Sequence, residues 1–196
     1  MARPGPTPSQ TVGPYFSMVL GGQNALLQPG GAAQVRGERI RIEGRVLDSD
    51  GATIEDALIE VWQANAAGRY RHEADDRKEL DLDDGFTGFG RAETDFATGL
   101  YWFETIKPGR VPDPEGELQA PHISVIVQAR GMLKPSFTRM YFPEEEAANE
   151  ADLVLRMVPT SRRHTLIAQL ADGIDPKVYR FDIRFQGEDE TVFFDF

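Results

Sequence analysis

The first sustained pattern along the chain begins at Ile40, where Ile40, Ile42, Gly44 and Val46 alternate with Arg41, Glu43 and Arg45. A period of two is that of a strand with one dry face and one wet face. Asp48-Ser-Asp-Gly51 then supplies a turn. Short aromatic or β-branched runs bounded by Gly, Pro or Asp predict further strands at 58–62, 101–106, 122–130, 137–142, 179–185 and 192–196. The sharpest sets Tyr179, Phe181, Ile183 and Phe185 against Arg180, Asp182 and Arg184, the alternation of an antiparallel sheet packed on one side. Helix signals are few. Pro143 ahead of Glu144, Glu145 and Glu146 marks a helix start, and 161–170 fits helix or strand equally. Residues 1–36, rich in Pro, Gly, Gln and Ala, read as an N-terminal arm and loop, and 37–196 as one domain with no repeat, low-complexity tract or linker. The expectation is all-β: an antiparallel β-sandwich with an arm, long loops and one or two short helices.

Composition narrows the chemistry. With 196 residues, 40% hydrophobic and 10% aromatic, the chain can bury a single-domain core. Its 21 basic and 32 acidic residues leave a net charge of −11, which argues against nucleic acid as a partner. The absence of cysteine excludes disulfides, thiolate metal sites and thiol catalysis. Only His72, His122 and His164 offer imidazoles, so a metal held by this chain alone would need tyrosinates or carboxylates. The acidic stretches 73–84 and 144–152 lack the order of a calcium loop and read as a solvated loop and a helix start. Residues 1–15 hold four prolines and no apolar run, which predicts neither secretory signal nor membrane anchor, and a soluble, cytoplasmic chain is expected.

Longer motifs go further. Ile42-Glu-Gly-Arg-Val46, Gly51, Ile54, Ile59-Glu-Val-Trp-Gln-Ala-Asn65 and Gly68-Arg-Tyr70 resemble the signature of the intradiol ring-cleavage dioxygenases. Matches continue at Ile106-Lys-Pro-Gly109, Pro121-His-Ile123, Tyr141-Phe142 and Tyr179-Arg-Phe-Asp-Ile183, so the likeness covers nearly the whole chain. The arm Thr7-Pro-Ser-Gln-Thr-Val-Gly-Pro-Tyr15, Ala129-Arg130-Gly131 and the ending Gln186-Gly-Glu-Asp-Glu-Thr-Val-Phe-Phe-Asp195 look like the alpha chain of members built from alpha and beta chains.

The resemblance implies an Fe(III) held by two tyrosinates and two histidines, binding a catechol as a dianion for reaction with O2. Tyr70 and His122 fall on two of the four ligand positions. The other two carry Val111, where a second tyrosine is expected, and Ser124, where a second histidine is expected. Neither can replace the lost donor, so Tyr70 and His122 read as remnants that pack and hydrogen-bond. His72 and His164 read as ordinary loop or surface histidines.

The implied role is that of a non-iron-binding alpha subunit which completes the site of an Fe(III)-bearing beta partner. The reaction would be O2-dependent cleavage of 3,4-dihydroxybenzoate to 3-carboxy-cis,cis-muconate, in aromatic catabolism. The matching positions are Thr11, Gly13, Pro14 and Tyr15 in the arm, and Arg130. An arginine suits the ring carboxylate, and Gly13-Pro14 offers slim, rigid backbone to a flat ring. Alternation along 122–130 puts Arg130 on the face of His122, Ser124, Ile126 and Gln128, roughly 26 Å from His122 at about 3.3 Å per residue, and so better placed to reach another chain. Two alternatives remain open at this point: a self-sufficient intradiol dioxygenase, and a non-catalytic assembly module.

Overall fold

The computed structural model describes residues 7–11, 13, 16–28, 31, 34–171, 173 and 175–195, without the side chains of residues 17 and 18. The strands are β1 (Arg39–Leu47), β2 (Leu58–Trp62), β3 (Phe89–Glu93), β4 (Leu100–Ile106), β5 (His122–Gln128), β6 (Ser136–Tyr141), β7 (Gln169–Ala171), β8 (Lys177–Arg180) and β9 (Ile183–Arg184). They form two sheets, one ordered β4-β1-β8-β7 with β9 also on β1, the other ordered β3-β2-β5-β6. The inward positions of the alternating runs, among them Ile40, Ile42 and Val46 from β1, Ile59 and Val61 from β2, and Ile123, Val125 and Val127 from β5, make one shared core. The expected β-sandwich is therefore present, because the long strands each bury one face against the other sheet.

Pairing direction is where the alternation misleads. The run 179–185 keeps its two faces, with Tyr179, Phe181 and Ile183 buried and Arg180 and Asp182 exposed. It is nevertheless divided into β8 and β9; β8 pairs antiparallel with β7 as expected, but both lie parallel to β1. The chain leaves the ladder at Phe181, whose carbonyl points at Gly44. A Cβ on Gly44 would lie 2.0 Å from that oxygen, so only glycine fits. The displaced carbonyl accepts from the buried Tyr101 hydroxyl, while the Asp182 carboxylate accepts from the Arg45 amide at 2.8 Å.

Other boundaries shift as well. The strand expected over 122–130 stops at Gln128, and Arg130 sits in the turn that follows. The expected strand at 192–196 is only a bridge from Phe194 to Phe137, with residue 196 outside the described residues; its apolar pattern reports burial, not pairing. Segment 161–170 divides, since a 3-10 helix covers Thr160–Leu166 and β7 follows. Strand β3, which carries no period-two signal, has Gly90 and Ala92 as its buried positions.

The helices are short: α1 (Phe16–Leu20), α2 (Glu146–Ala151) and α3 (Leu153–Met157). Among the described residues no helix is long and apolar enough to cross a membrane. The buried carboxylate of Asp152 caps α3 by accepting from the Leu155 amide at 3.0 Å. Leu155 then packs with Tyr141, Val158, Leu166 and Ala120 in a second, smaller cluster outside the sandwich.

Part of the segment read as arm and loop is structural. Residues 23–28 run along the edge strands β3 and β4 and bond to both. Gln23 and Arg91 exchange two backbone bonds of 3.0 Å, and the Leu26 amide donates to the Glu104 carbonyl at 3.0 Å. The strap covers both edges on one side of the sandwich, and Leu26 fills the core completely buried. A Cβ on Gly90 would lie 2.5 Å from Leu26 Cδ1, so that strand position is kept bare for the strap. Leu26→Ala is therefore expected to lower stability by about 2–5 kcal/mol, the range for a large-to-small core truncation, measured by denaturant unfolding; a loss below about 0.5 kcal/mol would mean that the strap is not part of the core.

Candidate functional site

The motif that runs from Ile59 to Asn65 has a physical task at its polar end. Gln63 is buried, donates to the Ile106 carbonyl at 2.9 Å and accepts from the Thr105 hydroxyl at 2.8 Å, which locks β2 to β4 across the sandwich. Asn65, also buried, donates to the Asp81 carbonyl and the Asp83 carboxylate, and accepts from the amides of Ala67 and Arg69. Its backbone carbonyl takes the amides of Gly68 and Gly109, both at 2.9 Å. The two glycines let the loops touch, since a Cβ on Gly68 would meet the Arg110 carbonyl at 2.0 Å and one on Gly109 the Ala66 carbonyl at 2.4 Å. The Tyr70 loop and the Lys-Pro-Gly loop are thereby held side by side.

Tyr70 stacks on Trp62, with ring centroids 5.9 Å apart and planes within 4°. Burial raises its phenol above the usual tyrosine value, opposed by the charges of Arg139 and Arg77. His122 is only 4% exposed. Its Nδ1 lies 2.8 Å from the Ala120 carbonyl, which can only accept, so the proton resides on Nδ1. Burial, helped by the charge of Arg139, pushes the imidazole down to about 4. Val111 is buried, and its carbonyl accepts from the Gln119 amide at 2.9 Å. Ser124 stands in β5, directly between Trp62 of β2 and Arg139 of β6.

Arg139 is the residue that sequence reasoning passed over. Its Nη1 donates to Gln119 Oε1 at 2.8 Å and approaches the Tyr141 hydroxyl at 3.4 Å; that hydroxyl in turn lies 3.1 Å from the Asp152 carboxylate. A usable signal existed, because positions 124 and 139 are equidistant from the Gly131–Met132 turn, and a hairpin through that turn pairs them. A guanidinium beside Tyr70, His122 and Ser124 is incompatible with a ferric ion among the same side chains, both by charge and by the missing donors. Among the described residues no cluster of three or more His, Asp or Glu side chains could hold a metal. The residues present do not fit the iron.

The arm meets the turn after β5. Thr11 Oγ1 accepts from the Gly131 amide at 3.2 Å and from the Gly13 amide at 3.4 Å. Beside it Arg130 Nε pairs with the buried Asp56 carboxylate at 3.0 Å, while the Arg130 side chain stays 65% exposed. Thr11, Gly13 and Arg130 are thus neighbours through Gly131; Pro14 and Tyr15 lie outside the described residues. His72 is exposed, with its Nδ1 accepting from the Ala74 amide. His164 is exposed and pairs with Asp189 at 2.9 Å.

The family profile described as Dioxygenase matches residues 11–187 of this chain. The protocatechuate 3,4-dioxygenase alpha chain of Burkholderia cepacia is 47% identical over 198 aligned positions, covering 96% of each chain. The beta chain from the same organism is 38% identical over 161 positions, covering 79% of this chain and 67% of its own length. Among solved structures, 3-chlorocatechol 1,2-dioxygenase from Rhodococcus opacus 1CP superposes with a TM-score of 0.64 at 22% identity, over 90% of this chain and 71% of that one. That last likeness concerns the fold.

The neutral, buried imidazole has a pH signature. Its folded value, about 4, lies below the ordinary histidine value of 6.5, so the unfolded chain binds the extra proton between them. Its contribution is complete above pH 6.5 and is lost as the pH falls toward 4. Between pH 7 and pH 5 the wild type is expected to lose about 2 kcal/mol more than His122→Gln, measured as unfolding free energy at each pH; parallel profiles for the two proteins would place a charged or solvated imidazole at this position.

Proposed function

We propose that this chain, which belongs to the intradiol ring-cleavage dioxygenase family, acts as the alpha chain of a protocatechuate 3,4-dioxygenase. It pairs with a beta chain that carries the Fe(III), and the pair cleaves 3,4-dihydroxybenzoate with O2 between the two hydroxyl-bearing carbons. The observation that carries this reading is the composition of this chain's own donor set. Tyr70 and His122 are retained, Val111 and Ser124 are not donors, and Arg139 brings a positive charge among them. Relatives named both alpha chain and beta chain match this sequence, which supports a partner of similar fold.

In this reading the iron chemistry belongs to the beta chain, and this chain contributes binding and shape. Arg130 offers a guanidinium to the ring carboxylate, a pairing that suits its planar fork. Asp56 holds the Nε edge of that guanidinium and limits the orientations that must be given up on binding. Thr11 ties the arm to Gly131, so the backbone at Gly13 is carried to the same edge as Arg130. The roles of Thr11, Gly13 and Arg130 rest on this placement, and those of Pro14 and Tyr15 on the likeness of the arm to alpha chains.

Two measurements test the proposal. The chain purified alone is expected to carry no stoichiometric iron and no visible tyrosinate-to-Fe(III) charge-transfer band, whereas the complex with the beta chain carries both; near-unit iron in this chain alone would make it a self-sufficient dioxygenase. In the complex, Arg130→Ala is expected to raise the KM for 3,4-dihydroxybenzoate about 10- to 100-fold, the effect of losing charge-assisted hydrogen bonds to a carboxylate, with Arg130→Lys in between. Unchanged KM and kcat in Arg130→Ala would remove Arg130 from substrate binding.

A further inference from the structure

The outer face of the four-stranded sheet carries a slot of about 310 Å3. Two cross-strand rows make its floor. One runs Phe89, Trp62, Ser124, Arg139 across β3, β2, β5 and β6, and the neighbouring row runs Arg91, Glu60, Ile126, Phe137. Phe89, Trp62, Ile126 and Phe137 give the slot flat, apolar walls. Ser124, the smallest side chain in its row, leaves a notch between the Trp62 ring and the Arg139 guanidinium. The volume sits at the small end of the roughly 300–1,000 Å3 that small-molecule sites occupy, the size for a single ring.

The charge pattern selects the ligand further. Among the described residues Arg139 has no carboxylate within ion-pair distance, and its hydrogen bonds run from Nη1 to neutral partners, Gln119 and Tyr141. A half-buried guanidinium without a counter-anion is electrostatically incomplete. Glu60, the one acidic residue lining the slot, is already engaged by Arg91, with Nε to Oε1 at 2.7 Å. Its presence at the far row disfavours a second negative charge on a ligand anchored at Arg139. The slot therefore matches a planar, apolar monoanion, and apart from Ser124 and Arg139 it offers few polar groups to a phosphate or a metal ion.

We propose that this slot binds a single-ring aromatic monocarboxylate, its carboxylate on Arg139 and the Ser124 hydroxyl, and its ring between Trp62, Ile126 and Phe137. The carboxylate gains charge-assisted hydrogen bonds from a planar donor, and the ring is held by aromatic faces. Arg139 takes this role because its own neighbours leave the positive charge unpaired. The site stands on this chain alone and does not depend on what Arg130 does.

The test uses the full chain by itself, where no beta-chain site competes for the probe, with benzoate in calorimetry and in fluorescence of a Trp102→Phe variant, where Trp62 is the only tryptophan left. Saturable one-site binding of benzoate with a change in Trp62 emission is expected. Benzamide, the neutral isostere, and terephthalate, the dianion, should each bind at least about tenfold more weakly. Arg139→Gln should weaken benzoate by at least about tenfold. Ser124→Val, which fills the notch and leaves Arg139 in place, should do the same and covers the case in which Arg139→Gln does not fold. Arg156→Ala, which removes an exposed arginine of α3 away from the slot, should leave benzoate binding unchanged. Absence of saturable binding, equal affinity for benzamide, retention in Ser124→Val, or an equal loss in Arg156→Ala would each overturn the proposal.

Discussion

The site side of this molecule depends on the hydrogen bonding of one buried amide, Asn65. Its side chain satisfies all its polar atoms within the protein, with two donors to the 81–83 loop and an oxygen accepting from the amides of Ala67 and Arg69. Its carbonyl carries the amides of Gly68 and Gly109. A buried amide left unpaired would cost more than an ordinary hydrogen bond contributes, so the arrangement is close to all-or-none. Three loops with little secondary structure are held in register by that requirement. Tyr70, at the end of one of them, is brought against Trp62.

The second organising element is the positive charge of Arg139. The groups around it are neutral donors and acceptors: a histidine protonated on Nδ1 alone, a phenol raised by burial, a glutamine and a second buried tyrosine. The Asp152 carboxylate is one step removed, engaged with the Tyr141 hydroxyl, the Ala120 amide and the Leu155 amide. Its negative charge therefore stabilises the helix start and the 120–122 segment, and among the described residues the guanidinium keeps only neutral hydrogen-bond partners. The donors that would suit a ferric ion and the cation that repels one share the same small region.

Much of the architecture was legible along the chain. Alternation located β1 and the run of β8 and β9, because each buries one face and hydrates the other, and short apolar runs bounded by turn residues located β2, β4, β5 and β6. Strand β3 was illegible for the same physical reason in reverse: its inward positions are Gly90 and Ala92, small so that Leu26 and Phe103 can fill the space. The strap at 23–28 has no periodic pattern because its bonds go to strand edges and its two adjacent leucines, Leu26 and Leu27, both pack on the core. Parallel pairing of β8 and β9 with β1 was hidden too, since a period of two records which face is buried and says nothing of direction. For the site, motif spacing picked out Tyr70, His122 and the two missing donors, and the likeness to alpha chains picked out Arg130 and the arm.

Sequence by itself determined which chemical groups are available: two potential ligands and two non-donors at the positions of an intradiol iron site, no thiol, and an acidic surface. Those are properties of residue identity, and no fold can supply a donor the chain lacks. Tertiary structure decided what stands beside them. Arg139 reaches Ser124 through the register of a hairpin, Trp62 reaches it from the other side through a pairing across more than sixty residues, and Thr11 reaches Gly131 across 120. Such neighbours follow from ladder hydrogen bonds and core packing, which act through space and leave no mark in local spacing.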